Sequence, residues 1–321
     1  MITNRSLDGQ VHLAQTSASL RTGYASAQAH HGEILQGVVA GGDGRPHRIL
    51  VSLSCVSQAS EALFVLENCK HITVEPAWKI KSSRAADLTL EYGNSAQRGG
   101  RLQIRSKTPV CWGLGSSTSD VTATICAVAD ALGVCLSAEV VARLAVKAEI
   151  ASDSLMFIDR AVLFAQREGA VIEDFGGAIP PLAVLGLNTD QTGRGVDTLK
   201  LKPARYSWWE IEAFRPLVGL MRQAVRTQDA KLVGQVASAS ARINQRFLPK
   251  PHFDELEKLV NKVDALGIQV AHSGTIVGLI FDPESDYIEQ QIHCAREYLS
   301  EMGFRSIWRF QTNDRHGAIL G

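Results

Sequence analysis

Several signatures of familiar protein classes are missing from this 321-residue chain. Its six cysteines form no C-x-x-C pair and no regular framework. That excludes a zinc ribbon or a disulfide scaffold and fits reduced thiols in a cytosolic protein. It has no net charge, because 33 Lys and Arg balance 33 Asp and Glu, so no global field draws it to nucleic acid or to an anionic membrane. No apolar run is long enough to span a bilayer. The first twenty residues mix Arg5, Asp8, Gln10 and His12 with short apolar patches rather than a signal-peptide core, and 1–20 reads as a flexible start. Repeats, low-complexity tracts and long linkers are also lacking. What is present is an ordinary enzyme composition, 45% apolar and 21% charged, in a chain long enough to bury a sizeable core. The expectation is a cytoplasmic protein that binds neither nucleic acid nor membrane.

The first half reads as strands. Gly23 to Ala29, Ile34 to Ala40, Ile49 to Val56, Ala62 to Leu66, His71 to Val74 and Leu102 to Ser106 carry alternating or β-branched patterns. After Pro109 the period changes. Ser117 to Leu132 has helical spacing with small residues and a stop at Gly133, and Ser137 opens a second helix to Glu149. A third helix is expected from Leu155 to Arg167. Beyond it come a strand at Leu182 to Leu187 and helices at Trp209 to Arg226, Asp229 to Arg246 and Phe253 to Leu266. A strand–loop–strand around His272 to Phe281, a helix from Tyr287 to Glu301 and a last strand, Ser306 to Gln311, complete the chain. This order predicts an α+β protein of two lobes, 21–178 and 179–321, that meet near Gly176 to Pro181.

Between the strand and the helix that flank it, Pro109 leads into Gly113-Leu114-Gly115-Ser116-Ser117-Thr118. Glycines let the backbone approach an anion, and the following helix supplies unpaired N–H groups and a partial positive charge. The stretch lacks the Gly-Lys-Ser/Thr of a Walker A loop. Ser117 offers a hydroxyl for Mg2+, and a plain helix cap by Ser116 or Ser117 is the competing reading.

Pro109 followed by Gly-Leu-Gly-Ser-Ser resembles the ATP loop of the GHMP kinases, the superfamily of galactokinase, homoserine kinase and mevalonate kinase. Ala29-His30-His31-Gly32-Glu33-Ile34-Leu35-Gln36-Gly37 is similar to its N-terminal motif, and Ala271-His272-Ser273-Gly274-Thr275-Ile276-Val277-Gly278 to its C-terminal glycine motif. These forms, with Ser152-Asp153-Ser154-Leu155-Met156-Phe157, look most like the L-threonine kinase branch. Three positions depart from the pattern. Gln28 stands where the superfamily usually has Pro, His31 where the threonine kinases tend to have Cys, and Ile150-Ala151 at the branch's Glu-Pro-Thr-Asp segment.

The resemblance implies a GHMP kinase fold, with a ribosomal-protein-S5-domain-2-like N-terminal lobe, a ferredoxin-like C-terminal lobe and the active site between them. It also implies ATP and Mg2+, and a small hydroxy-amino acid as acceptor, L-threonine first, with serine or homoserine following. Pro109 and 113–118 would hold nucleotide; His31, Gly32, Glu33, His272, Ser273, Gly274 and Thr275 would hold the acceptor. Asp153 would face the acceptor hydroxyl as base or orienting group, with a helix cap as its competing role. Glu149, four residues earlier, would share a face with Asp153 if the helix continued, and could join Ser117 on the metal. His30 and His31 alternate along a strand, so they do not share one metal. A kinase fold kept for binding alone is the rival class, and a homodimer is compatible with either.

Overall fold

The computed structural model describes residues 21–42, 44–95, 98–109, 112–192, 196 and 204–312. The expected flexible start at 1–20 lies outside the described residues. Two long antiparallel strands, β1 (Thr22–Ala40) and β2 (Pro46–Glu67), form the spine. The sequence split each into two shorter strands; register shifts interrupt β1 between Gln28 and Leu35 without ending it. The N-terminal third of β1 alternates between buried and exposed residues, as a strand covered on one face does, whereas from Ala29 to Val39 every residue is buried.

On one side of this spine lie β3 (Ile72–Glu75), α1 (Ile80–Tyr92), β4 (Gly99–Ser106), α2 (Ser116–Leu132) and α3 (Ala138–Glu149). Ala123, Ala127, Val128 and Ala131 of α2 pack on Ala27, Ala62 and Phe64. Gly133 ends α2 in a left-handed conformation, and the Ser137 hydroxyl caps α3 by accepting the Val140 N–H, both as the sequence indicated. Helix α1 was not anticipated.

The expected helix from Leu155 to Arg167 is absent. Residues 154–159 form turns, followed by β5 (Val162–Ala165) and β6 (Ala170–Asp174). Ile49 and Leu50 of β2 pair with Ala165 and Phe164, so an available strand edge decides the conformation of a short apolar run that also fits a helix.

The second half supplies β7 (Ala183–Asn188), α4 (Trp208–Thr227), α5 (Ala230–Asn244), α6 (Phe253–Lys262), β8 (Gly267–Val270), β9 (Ile276–Phe281), α7 (Ile288–Glu301) and β10 (Ile307–Gln311). The sheet runs β10-β7-β9-β8-β1-β2-β4-β3, with β5 and β6 branching from β2. One core lies between α4, α5 and the C-terminal part of β1, around Phe214, Met221 and Val236. A second lies under α6 and α7, around Leu256, Phe281 and Leu299. Strands β1 and β8 meet at Glu33 and Val270, so the irregular middle of β1 is where the two halves of the sheet join. Among the described residues, no helix is long and apolar enough to cross a membrane.

Candidate active site

The loop before α2 ends at Gly115, the helix N-cap, whose left-handed φ of 68° leaves the N-terminus without any side-chain cap. The competing reading of Ser116 or Ser117 as a plain cap is therefore overturned. Their hydroxyls and those of the following residues point to other work. Ser117 Oγ donates to Glu149 Oε2 at 2.6 Å and accepts from Lys81 Nζ at 3.0 Å. Thr118 Oγ1 lies 2.8 Å from Glu149 Oε1 and 3.0 Å from Asp153 Oδ2, one hydroxyl proton between two buried carboxylates. Ser119 ties α2 to the spine through the Ala27 carbonyl and the Ser60 N–H.

Glu149 and Asp153 would share a helix face only if the helix continued past Glu149, and it does not. Helix α3 stops at Glu149, and Ile150, at φ 74°, turns the chain away. Thr118 brings the two carboxylates together instead. Burial pushes the Glu149 carboxyl up, against the pull of Ser117 and of Lys81, whose Nζ is 3.7 Å away. A buried carboxylate beside a serine hydroxyl at a helix N-terminus is a hard-oxygen donor set, and it fits Mg2+.

A pocket of ≈ 330 Å³ opens beside these groups, lined by Trp78, Lys79, Ile80, Lys81, Ser82, Ser116, Ser117 and Asp120. Its floor is a buried ion pair between Lys79 and Asp120, with Ser60 Oγ donating to Asp120 at 2.7 Å. The 78–82 segment escaped sequence reasoning because it belongs to the unanticipated start of α1. Trp78 and Ile80, both well exposed, were its available signal.

On the other side of the loop His30, Glu33 and Asp153 form a buried cluster, with the partly exposed His272 at its edge. His30 Nε2 is 3.0 Å from Asp153 Oδ2, and His30 Nδ1 is 3.5 Å from Glu33 Oε1. Glu33 accepts the His272 backbone N–H at 2.7 Å, and its other oxygen is 2.8 Å from His272 Nδ1. Residues three apart on a regular strand face opposite ways. Here Gly32, at φ 71°, sits in a register shift that returns Glu33 to the face of His30. A side chain at Gly32 would meet Gln269 Oε1 and the Ala271 backbone.

Burial alone would lower the His30 imidazole, but the Asp153 and Glu33 carboxylates raise it to about 9. Burial alone would raise the Asp153 carboxyl, yet the imidazolium beside it holds it well below the usual carboxylate range. His272, pushed down by burial, is raised overall by Glu33.

His31, expected on the acceptor side, is elsewhere. It is fully buried on the opposite face of β1, against Trp308 and Phe310 of β10, with Nδ1 beside the Gln269 amide of β8. Burial lowers its imidazole to about 3, so it is neutral. Strand alternation had separated the pair correctly, and His30 is the member at the site.

The turn at 272–275 closes on the phosphate loop, since the Thr275 and Ile276 N–H groups both donate to the Trp112 carbonyl. Ser273 and Gly274 lie against Gly113 in the same contact. Lys250, unforeseen from sequence, is buried with its amine on the Gly274 carbonyl, and burial lowers it to about 7. Leu114 turns its side chain into a small apolar cluster with Ala271 and Ile276 and offers the ligand only its backbone. Pro109 precedes the loop, half-buried.

Residues 80–158 match the GHMP kinases N terminal domain, and residues 221–298 match the GHMP kinases C terminal domain. The L-threonine kinase of Salmonella typhimurium is 35% identical over 182 residues, 57% of this chain and 60% of that protein. The L-threonine kinase of Citrobacter freundii is 34% identical over 194 residues, 59% of this chain and 66% of that protein. The matches thus span less than two thirds of either relative's length. In fold, the chain superimposes on the homoserine kinase of Cytophaga hutchinsonii with a TM-score of 0.65 at 16% identity, covering 94% of this chain and 98% of that one. With the N-terminal and C-terminal models of one family matched in order along it, the chain belongs to the GHMP kinase family.

Proposed function

We propose that the protein is an ATP-dependent kinase that transfers the γ-phosphate to the hydroxyl of a small hydroxy-amino acid, with L-threonine the first acceptor. The observation that carries this reading is Thr118. It stands in the first turn of α2, where phosphate would bind, and its hydroxyl reaches Asp153 on the acceptor side. One residue therefore links the two groups that in-line transfer must hold at fixed separation. The relatives that carry the name L-threonine kinase support the choice of acceptor.

In this reading the N–H groups around Gly113 to Thr118 receive the nucleotide phosphates, with the helix N-terminus favouring their charge. Lys81, half exposed at the pocket, adds a mobile cation. Ser117 and Glu149 hold Mg2+, which when bound neutralises phosphate charge. Asp153 receives the acceptor hydroxyl, and the 272–275 turn walls the acceptor from water. Glu33 orients His272 rather than meeting solvent, since it is buried and fully engaged.

The test is 31P NMR of the protein with Mg2+, ATP and a panel of threonine, serine, homoserine and related hydroxy acids. A new phosphomonoester signal with threonine is the expected result. Nucleotide binding without any phosphorylated product across the panel would favour a binding protein on a kinase fold.

A further inference from the structure

We infer that His30 is the positioning residue of this site: it fixes Asp153 against the phosphate loop, so that only one carboxylate oxygen is left for the acceptor hydroxyl. The inference rests on the function proposed above, and it concerns a residue that the motif match had passed over in favour of His31.

The argument is geometric. His30 is 1% exposed, and four contacts fix its position. Its backbone N–H donates to the Leu114 carbonyl at 3.2 Å, which joins β1 to the phosphate loop. Its ring lies over Gly115, where any side chain would meet His30 Cδ2 at 2.0 Å. Its Nε2 is 3.0 Å from Asp153 Oδ2, while Nδ1 faces the Gly32 carbonyl at 3.3 Å. The imidazole thus fills the space between the N-cap of α2 and Asp153.

Asp153 Oδ2 is occupied from two sides, by His30 and by the Thr118 hydroxyl. Oδ1 lies 3.9 Å from His272 Nδ1, beyond hydrogen-bond reach, and among the described residues it accepts no hydrogen bond. An acceptor hydroxyl therefore has one oxygen to bond, in one orientation. A carboxylate so engaged by a cationic partner is a weak base. Asp153 then contributes by aiming the hydroxyl, and the proton leaves with the transferred phosphate's oxygen or to solvent after transfer. The groups facing this pair are Glu33 from β1, Glu149 from the end of α3 and His272 from the turn after β8.

The experiment compares His30→Ala, His30→Gln and wild type, with folding checked by NMR. Expected is a fall in kcat of about 30-fold for His30→Ala with the KM for ATP within about twofold, because the loop backbone is untouched. His30→Gln, which keeps an N–H donor, should recover part of the loss, and added imidazole should restore turnover to His30→Ala. Turnover of His30→Ala equal to wild type overturns the inference. So does an equal loss of kcat and ATP affinity in both variants with no response to imidazole, which marks a merely structural residue.

If His30→Ala does not fold, the 15N shifts of the His30 ring in wild type and in Asp153→Asn read the contact directly. An unchanged ring titration sinks the positioning role. That reading needs no turnover, so it stays separate from a failure of the kinase assay on every acceptor.

Discussion

His30 and His31 are neighbours in sequence and opposites in state. His30 faces Asp153 and Glu33 and is held charged; His31 faces Trp308 and Phe310 and is held neutral. Both are fully buried, so burial is not what separates them. The difference is whether a carboxylate shares the cavity, because a buried imidazole loses its proton unless an anion compensates the desolvated charge. One face of β1 thereby carries a charged cluster, and the other is core.

The largest effect expected from this contrast is on stability against pH. His30 has its folded value, about 9, above the ordinary imidazole value of 6.5, so its contribution is complete below pH 6.5 and is lost as pH rises through 9. His31 has its folded value, about 3, below 6.5, so its contribution is present above pH 6.5 and is lost as pH falls towards 3. Each histidine contributes a slope of about 1.4 kcal/mol per pH unit across its own window. Because the Lys250 amine, lowered to about 7, adds a slope of opposite sign above pH 7, the His30 limb is read as the difference between wild type and His30→Gln. Denaturant midpoints across pH check this. A wild-type minus His30→Gln difference that stays flat from pH 6.5 to 9 would contradict the His30 assignment, and a wild-type curve flat from pH 6.5 down to 4 would contradict that of His31.

Next in size is His31→Ala, which should cost about 3 kcal/mol through the cavity left beside Trp308 and Phe310. Turnover per folded molecule should hold within about twofold. A selective loss of kcat would mean that His31 reaches the chemistry after all.

Asp153→Asn removes the anion that makes His30 unlike its neighbour. Turnover should fall by at least about tenfold while ATP binding, followed by calorimetry, survives. Its unchanged turnover would remove Asp153 from the mechanism.

The loop and helix start proposed to hold nucleotide were legible in sequence because their backbone geometry is local. Gly113, Gly115 and the start of α2 form one continuous segment, and small residues opening a helix create an anion site whatever surrounds them. The pocket wall at Trp78 to Ser82 was not, because α1 buries Ser82, Ala85, Ala86 and Thr89 rather than a conspicuous apolar stripe. The segment from Leu155 to Arg167 misled for the opposite reason: its apolar residues fit a helix, and only the free edge of β2 at Ile49 and Leu50 made a strand of it.

The acceptor half was legible only as a set of residue types. The sequence alone indicated that His30 and His31 face opposite ways if they lie on a strand, that Glu33 and His272 sit in segments resembling motifs of one family, and that a glycine loop opens α2. Three features came from the tertiary structure. Gly32's bulge returned Glu33 to the side of His30, Thr118 rather than a continuing helix joined Glu149 to Asp153, and the carboxylates lay on one face of β1 while the aromatic rings lay on the other. The reason is physical: periodicity and backbone conformation are written along the chain, whereas the charge of a buried imidazole depends on which distant segment folds against it.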